Sequence, residues 1–390
     1  MTVHGNTIAA VDAHGVRTPD EDLGNVAIIP GLVNAHTHLD LSGGRGLIPP
    51  TDPEHFTDWL RGVIAYRRGR TPEQVQEDID NGLAESLKSG TTLIGDITVG
   101  GLSYLAVSKA KLRSVLCYEV IGLTLERANE SFAKYERLIG AAWDDMPAIY
   151  AGNRDCRWMI SPHSPYSVDH EAALCAIALN GGVMHLAESP AEIRLLLAKE
   201  GPLADFLMKL GVWNPLALKY QAEEFVNQHI GTFRRRRVYI HCNYLNANTP
   251  FDQSQHIVYC PRTHTAFQHP RHPFAEFLAR GVNVALGTDS LASNPDLDLL
   301  AEARFVHRRH PDLPGDVLLR MATLSGAEAL GWADETGSLA PGKSADLVVL
   351  SLPPRDDADP HRLLFDSDHK VARVIFRGRS EPEASATVSS

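Results

Sequence analysis

The sequence has few cysteines, no long apolar run and no excess of positive charge. Its five cysteines are odd in number and widely spaced, without a CxxC pair, so neither a disulfide framework nor a thiolate zinc site is expected and a reducing compartment fits. No apolar run approaches the roughly 18 residues of a membrane span. The first residues have no basic stretch followed by an apolar one, as a secretory signal has. We therefore predict a cytoplasmic location and no membrane partner.

The chain also lacks the positive charge of a nucleic-acid-binding protein. Its 37 basic and 48 acidic residues give a formal net charge of −11, so there is no global attraction to nucleic acid or to anionic lipid. The single basic run, Arg234 to Arg237, precedes a strand-like stretch, and we interpret it as a solvated loop. Hydrophobic residues make up 44% and charged residues 22% of the 390 residues, which predicts a globular protein with a large core.

Short apolar runs alternate with longer amphipathic stretches through the middle of the chain. This alternation predicts an α/β fold, a (β/α)8 TIM barrel, although the stretch between the sixth and seventh runs is short for a helix. The amphipathic stretches include 72–89 and 192–210. The eight predicted strands are 27–35, 92–98, 114–121, 156–161, 182–187, 238–242, 256–260 and 282–287.

The two ends of the chain have a different texture. Residues 1–25 suggest two strands joined by a turn at Gly5-Asn6, and residues 337–378 are rich in turns and β-like runs. We predict a small β-sandwich domain built from residues 1–29 and 337–380, around a barrel domain of residues 30–336. The tail, 381–390, has a composition typical of disordered segments.

The strongest local signal for chemistry is His36-Thr37-His38, at the end of the first strand. Residues i and i+2 of a strand point to the same side. At the carboxyl end of a barrel strand both imidazoles face the mouth, where the active sites of such barrels lie, and they can bind one metal ion. The alternative is two unrelated histidines at a strand end.

Three further runs end in a residue that can bind a metal. These residues are His185, His241 and Asp289, each at the end of a predicted strand. One histidine after an apolar run is usually structural, but four coincidences in strand order favour a site. Three imidazoles and one carboxylate suit Zn²⁺, with Fe²⁺ as the alternative, and such an ion lowers the pKa of bound water to about 7.

Glu188 follows His185 by three residues and is predicted to lie just beyond the strand. A carboxyl group there can take a proton from an activated water and pass it to a substrate nitrogen. The alternative is a glutamate at a helix start, stabilised by the helix dipole, because Ser189-Pro190 is typical of a helix entry.

Taken together, these pieces resemble the amidohydrolase superfamily, in the branch of cytosine, guanine, S-adenosylhomocysteine and aminodeoxyfutalosine deaminases and triazine hydrolases. HxH alone is a weak signal, whereas the ordered set is highly specific and spans most of the chain. The matching segments are PGLVNAHTHLDLS (30–42), SGTTLIGD (89–96), SPHSPYSV (161–168), HLAES (185–189), HC (241–242), CPRTH (260–264), LGTDSLASN (286–294) and GSLAPGKSADLVVL (337–350).

The resemblance implies roles for these residues. His36, His38, His185 and Asp289 correspond to the metal ligands. His241 corresponds to the histidine that contacts the metal-bound water or the reacting group, Glu188 to the deaminase proton shuttle, and Asp289 also helps to deprotonate the water. The segment CRWMISPHSP has no lysine, whereas two-metal relatives such as dihydroorotase use a carboxylated lysine there. One metal ion is therefore implied.

The resemblance also indicates candidate substrate contacts. They are His163 and Tyr166 in SPHSPYS, Trp59 after the first barrel strand, and Arg262 and His264 in CPRTH; the alternative for each is a structural role. Relatives often have CPxSN where this chain has CPRTH, which puts the common purine and pyrimidine substrates in doubt. Relatives also begin with more strands, so the small β domain is expected to be reduced, or the chain start truncated.

The implied function is a metal-dependent aminohydrolase that acts on a small molecule, an amino-substituted heteroaromatic ring or nucleoside, with aminodeoxyfutalosine as a specific candidate. HxxE favours deamination over hydrolysis of peptide-like or lactam bonds. One alternative is a triazine hydrolase that removes chloride or an alkylamine. Another is a non-catalytic barrel that binds a partner, but silent relatives of that kind usually lose metal ligands. A homodimer is common in the family.

Overall fold

The computed structural model describes residues 1–13, 15–144, 154–228, 235–357 and 359–380. The predicted disordered tail, 381–390, lies outside the described residues, as does Arg234. Among the described residues no helix is both long and apolar enough to cross a lipid bilayer. The strands are β1 (Thr2–His4), β2 (Thr7–Ala10), β3 (Val26–Pro30), β4 (Leu32–Thr37), β5 (Thr91–Thr98), β6 (Arg113–Val120), β7 (Cys156–Pro162), β8 (Gly182–Leu186), β9 (Arg237–His241), β10 (Gln255–Tyr259), β11 (Asn283–Leu286), β12 (Leu347–Ser351), β13 (Val371–Phe376) and β14 (Arg379–Ser380).

Eight of these strands form two parallel sheets of four, in the orders β4-β5-β6-β7 and β8-β9-β10-β11. The sheets adjoin at their carboxyl ends. The amide of His185 donates to the carbonyl of His163 just after β7, over 2.9 Å, and the amide of Asp289 after β11 donates to the carbonyl of His36 in β4, over 3.0 Å. The predicted α/β class with parallel strands is thus confirmed, and all eight predicted runs contain a strand.

The first predicted run contains two strands rather than one. β3 ends at Pro30 and β4 begins at Leu32, so the chain turns at Gly31 from one sheet into another. Gly31 lies so close to the side chain of Thr92 that a Cβ atom would overlap it. A glycine is required where two parts of the chain approach this closely.

Helices follow most of the parallel strands. The α-helices are Phe56–Gly69, Pro72–Lys88, Tyr104–Val107, Leu125–Asp144, His170–Asn180, Pro190–Ala198, Pro202–Lys209, Ala222–Asn227, Pro261–Ala266, Phe274–Ala279, Leu299–Arg309, Gly315–Met321, Leu324–Leu330 and Pro360–Phe365. Short 3-10 helices span Leu39–Gly44, Pro53–His55 and Pro215–Ala217.

Local sequence explains where these helices begin and end. Thr71 and Gln74 form a capping box ahead of Pro72, which satisfies two free amides of the first turn. The predicted long helix 192–210 is divided in two, because Gly201 (φ 97°) and Pro202 interrupt it. Residues 242–254, all described, contain no helix between β9 and β10, as the short spacing predicts.

Strands from both chain ends form one antiparallel sheet, in the order β14-β13-β12-β3. In its centre Leu347 pairs with Pro30 and Val348 with Ile29. β1 and β2 form a hairpin with its turn at Gly5-Asn6, and Ile8 of that hairpin is buried against Ala345 and Leu347. The amino-terminal hairpin is therefore anchored to the carboxyl-terminal strands.

Candidate active site and metal centre

Four histidines and one aspartate meet at the carboxyl ends of three parallel strands and just beyond a fourth. His36 lies in β4 with His38 immediately after it, His185 lies in β8, His241 ends β9, and Asp289 follows β11 by three residues. All five side chains are buried. Because the carboxyl ends of parallel strands lie at one edge, residues distant in sequence converge there.

The ligand atoms of these residues have the spacing of a metal site. The Nε2 atoms of His38 and His185 are 3.3 Å apart, and Oδ1 of Asp289 is 3.5 Å from Nε2 of His36 and 3.7 Å from Nε2 of His38. Tetrahedral zinc with bonds of about 2.0–2.1 Å places its ligand atoms about 3.4 Å apart. The residues therefore fit a divalent metal ion.

Two groups of three residues have every ligand atom within 4.8 Å of the others. These groups are His36, His185 and His241, and His36, His38 and Asp289. Both ring nitrogens of His36 are buried without a hydrogen-bond partner among the described residues. The nearest acceptor to Nε2 that the ion-pair distances show is Oδ1 of Asp289, 3.5 Å away, and an ion bound at Nε2 relieves the cost of burying an imidazole without a hydrogen bond.

The charge states also suit metal binding. Burial, followed by the nearby His36, lowers the pKa of His38 and of His185 well below the ordinary value. Burial lowers the pKa of His241 to about 3. Burial alone would raise the pKa of Asp289, but the neighbouring histidines hold it below the usual range. Neutral imidazoles and an ionised carboxylate are the forms that bind metals.

Contacts outside the ligand set orient these side chains. Nδ1 of His185 lies 3.0 Å from the carbonyl oxygen of His163, which directs Nε2 toward the other ligands. Oδ1 of Asp289 accepts from the amide of Ser290 over 2.7 Å, and Oδ2 accepts from the hydroxyl of Ser293 over 3.2 Å. Nε2 of His272 donates to the carbonyl of His241 over 2.7 Å.

The backbone is strained at three of the four strand ends. Ala187, His241, Cys242 and Asp289 have φ angles of 51°, 69°, 57° and 61°. Non-glycine residues rarely adopt this left-handed conformation, and it persists where the surroundings enforce it, commonly at functional sites.

Glu188 places a carboxyl group beside His241. Its Oε1 lies 3.4 Å from Nε2 of His241. Burial, followed by repulsion from Asp289, raises the pKa of Glu188 well above the ordinary value. The following helix begins at Pro190 with Ser189 as its cap, so Glu188 precedes the helix and its carboxyl lies in the site.

A second glutamate holds this segment in place. The buried carboxylate of Glu192 accepts from the amides of Ala187 and Glu188 over 2.8 and 2.9 Å. Burial raises the pKa of Glu192 to about 7. Glu192 therefore fixes the left-handed turn that carries Glu188.

Of the predicted substrate contacts, His163 and Tyr166 lie beside the ligands. The ring centroid of His163 is 5.1 Å from that of His185 and 5.6 Å from that of Tyr166. His264 is buried next to His269 and His272, and its Nε2 has no hydrogen-bond partner among the described residues. His163 therefore lies next to His185, and His264 is near enough to His241 to contribute to the lowering of its pKa.

Two other predicted substrate contacts, Trp59 and Arg262, are packed against or bound to neighbouring side chains of the protein. Trp59 is buried against Phe56 and Phe267, with ring centroids 5.7 and 5.1 Å away. Every guanidinium nitrogen of Arg262 donates to Asp296 or Glu302, over 2.6–3.0 Å in three side-chain contacts. These contacts favour a structural role for Arg262, and its contact with a substrate stays a prediction.

The sequence interpretation missed a buried polar group next to the site. Glu119 in β6, Asp40 after β4, and Arg67 in the first helix lie close to one another. An ionisable residue inside an apolar strand is a usable signal, because a buried charge needs a partner. Glu119 in SVLCYEV carries that signal. Arg67 carries no such signal in the sequence, because its position on the helix does not reveal that its side chain reaches the strand ends.

Comparisons with known proteins show the family of the chain. The family model described as the amidohydrolase family matches residues 27–380. The 5-methylthioadenosine/S-adenosylhomocysteine deaminase of Moorella thermoacetica is 30% identical over 386 residues, which cover 92% of this chain and 82% of that protein.

Two solved structures share the fold. The aminofutalosine deaminase of Helicobacter pylori in complex with methylthio-coformycin matches with a TM-score of 0.78 and 23% identity, over 92% of this chain and 87% of that one. The zinc complex of atrazine chlorohydrolase from Arthrobacter aurescens matches with a TM-score of 0.71 and 21% identity, over 97% and 89% of the chains. The ordered motifs, the convergent histidines and the family match together establish that the chain belongs to the amidohydrolase family.

Proposed function

We propose that the chain is a metal-dependent hydrolytic deaminase that removes an amino group from a heteroaromatic ring, as in a nucleoside. The observation that carries this proposal is the pairing of Glu188 with His241, 3.4 Å apart, beside a complete set of three histidines and one aspartate. Deamination needs a nucleophile, a proton shuttle and a group that stabilises developing charge, and these residues supply each part. The deaminase names of relatives support the same reaction.

In this proposal His36, His38, His185 and Asp289 hold one divalent metal ion, with Zn²⁺ as the first choice and Fe²⁺ as the alternative. A bound ion of this kind supplies a Lewis acid that makes water a nucleophile near neutral pH. The zinc complex of a structural neighbour supports zinc.

The protein's own residues then move the protons. Water attacks the ring carbon that bears the amino group, and Asp289 and Glu188 accept its protons. Glu188 delivers the proton that it has accepted to the adjacent ring nitrogen, and burial, which raises the pKa of its carboxyl, favours the protonated form that does so. His241 lies 3.4 Å from Glu188 and stabilises the charge that develops on the attacking oxygen. The proton held by Asp289 passes to the amino group, the C–N bond breaks, and ammonia leaves.

We assign His163, Tyr166 and His264 to substrate binding, because His163 lies beside His185 and Tyr166, and His264 is near enough to His241 to contribute to the lowering of its pKa. Trp59 lies in the first helix and packs in an apolar cluster with Phe56 and Phe267, and its contact with a substrate stays a prediction. Four further features also stay predictions: closure of the eight parallel strands into a barrel, a separate small β domain of 1–29 and 337–380, a cytoplasmic location, and a homodimer.

A triazine hydrolase is the second candidate, because one neighbour of similar fold is an atrazine chlorohydrolase. The two functions differ in the leaving group, so one panel separates them. Metal-loaded protein is incubated with purine nucleosides, free purines, pterins and triazines, and ammonia, chloride and alkylamines are measured. We expect ammonia from a nucleoside. Chloride or alkylamine release without ammonia from any compound would replace the deaminase proposal with the triazine one.

A further inference from the structure

Arg67 lies between the carboxyl groups of Asp40 and Glu119, beside the proposed metal ligands. Nε and Nη2 of Arg67 donate to the carboxylate of Asp40 over 2.8 and 3.3 Å. Nη1 of Arg67 lies 3.6 Å from Oε2 of Glu119. The side chains of Asp40 and Glu119 are 7% and 4% exposed, whereas that of Arg67 is 28% exposed. Arg67 therefore joins two buried carboxylates and is the member that faces solvent.

One oxygen of this group has no partner. Oε1 of Glu119 is buried, and no described residue forms a hydrogen bond with it. Its nearest candidate is Nε2 of His163, at 3.9 Å, which is too far for a direct hydrogen bond. A buried carboxylate oxygen without a donor is unfavourable, so this atom is placed to accept a hydrogen bond from a bound molecule.

A gap of 3.9 Å separates Oε1 of Glu119 from Nε2 of His163, and His163 offers a hydrogen-bond donor on its side of this gap. Nδ1 of His163 contacts the hydroxyls of Ser167 and Ser164, at 2.8 and 3.0 Å. When a serine hydroxyl donates to Nδ1, the ring proton of neutral His163 resides on Nε2 and faces Glu119. The gap then has a donor on one side and an acceptor on the other.

The gap fits one hydroxyl group. An oxygen about 2.8 Å from each atom would span the 3.9 Å between His163 and Glu119 and form an angle of about 90° with them. A hydroxyl accepts from Nε2 and donates to the carboxylate at the same time, which an apolar substituent or a ring carbon cannot do. The hydrogen bond to Glu119 is charge-assisted and so is stronger than a neutral one.

The location connects this gap to the reaction. The ring of His163 lies 5.1 Å from that of His185, which is a proposed ligand. A substrate whose amino-bearing carbon reaches the metal can therefore extend past His163 to Glu119, whose Oε1 lies 3.9 Å from Nε2 of His163. The part of a nucleoside that carries hydroxyls is its sugar.

We propose that Glu119, held by Arg67 and facing His163, binds a sugar hydroxyl of the substrate. The substrate class is then a nucleoside with free sugar hydroxyls rather than a free base or a triazine. This inference rests on the proposed deaminase function and adds a specificity-determining residue to it. A site built around a polar group of the substrate rejects analogues that lack the group far more strongly than an apolar pocket does.

The experiment compares two substrates in three proteins. Adenosine and 2′,3′-dideoxyadenosine have the same reacting ring and differ only in the sugar hydroxyls. The proteins are the unmodified chain, Glu119→Gln, and the control Glu171→Gln, which changes an exposed carboxylate paired with Lys219. Each is tested for kcat/KM by ammonia release after the metal content has been equalised.

We expect the unmodified chain to prefer adenosine by about 100-fold or more, since an unfilled buried acceptor costs of this order. Glu119→Gln should lose most of that preference by slowing adenosine alone, and the control should keep it. Equal losses for both substrates would assign Glu119 a structural role, and unchanged kinetics for both would remove it from the site. Either result overturns the proposal.

Two further results keep the test decisive. If Glu119→Gln does not fold, the preference of the unmodified chain for adenosine over 2′,3′-dideoxyadenosine decides the test. A ratio of their kcat/KM values near one overturns the proposal. If no ring compound releases ammonia, the deaminase proposal fails separately. Calorimetric titration of the unmodified chain with both nucleosides then tests the subsite, which requires tighter binding of adenosine by at least tenfold.

Discussion

The replacement Glu188→Gln tests the proton shuttle with little change in shape. The amide has nearly the volume of the carboxyl but cannot accept and return a proton. The backbone of Glu188 is held independently of its side chain, because Glu192 binds its amide over 2.9 Å and Asn243 donates to its carbonyl over 3.0 Å. We therefore expect the variant to fold and to keep its metal ligands in place.

The expected loss follows from the distances. Oε1 of Glu188 lies 3.4 Å from His241 and its side chain is 9% exposed, so bulk water does not readily replace it as a proton carrier. A positioned acid–base group contributes about 10²–10⁴-fold to a rate, which corresponds to about 3–5 kcal/mol of barrier. Glu188→Gln should lower kcat by that factor and change KM little.

The assay measures ammonia release and metal content in the same preparations. Glu200→Gln, a change at an exposed carboxylate, serves as the matched control and should behave as the unmodified chain. Turnover within about threefold of normal, with full metal content, would remove Glu188 from proton transfer. Loss of the metal from the variant would instead give Glu188 a part in metal binding.

Three other replacements test the supporting structure. Glu192→Ala leaves two buried amides unpaired and should lower the free energy of unfolding by about 2–4 kcal/mol in a urea titration, whereas an unchanged midpoint would contradict the role of Glu192. Burial lowers the pKa of His170 to about 4, below its unfolded value, so its contribution to stability is present above about pH 6.5 and is lost as pH falls. Between pH 7 and 5 the free energy of unfolding of the unmodified chain should therefore fall by about 2 kcal/mol more than that of His170→Asn. Equal losses of stability in the two proteins would contradict this role of His170. Arg262→Met leaves the buried carboxylate of Glu302 without its ion-pair partner and should lower the free energy of unfolding by about 3–5 kcal/mol, while KM stays unchanged. A raised KM with normal stability would instead support Arg262 as a substrate contact.

Much of the site could be predicted from the sequence because parallel strands place their carboxyl ends at one edge. His185, His241 and Asp289 each follow an apolar run, so the order of the runs brings them to His36 and His38 without knowledge of the loops. The fold class followed from the same alternation of runs.

Contacts made by long side chains could not be predicted. Arg262 pairs with Glu302, 40 residues away, and that pairing depends on how the helix Leu299–Arg309 packs. Arg67 reaches Glu119 from a helix surface whose orientation is set by tertiary packing. The division of the first run at Gly31 also depends on a tertiary contact, the close approach of Thr92. Such features arise from packing between elements rather than from periodicity within one.

Metal removal and reconstitution test the proposed function most directly. The chain is freed of metal with a chelator, checked for folding, and reloaded with Zn²⁺ or Fe²⁺ while bound metal and ammonia release from the best substrate are recorded. We predict one divalent ion per chain, no ammonia release without it, and recovery in proportion to the ion bound, with His36→Ala failing to recover. Ammonia release that persists in the metal-free chain, or its absence from every ring compound in the fully loaded chain, would contradict a metal-dependent deaminase.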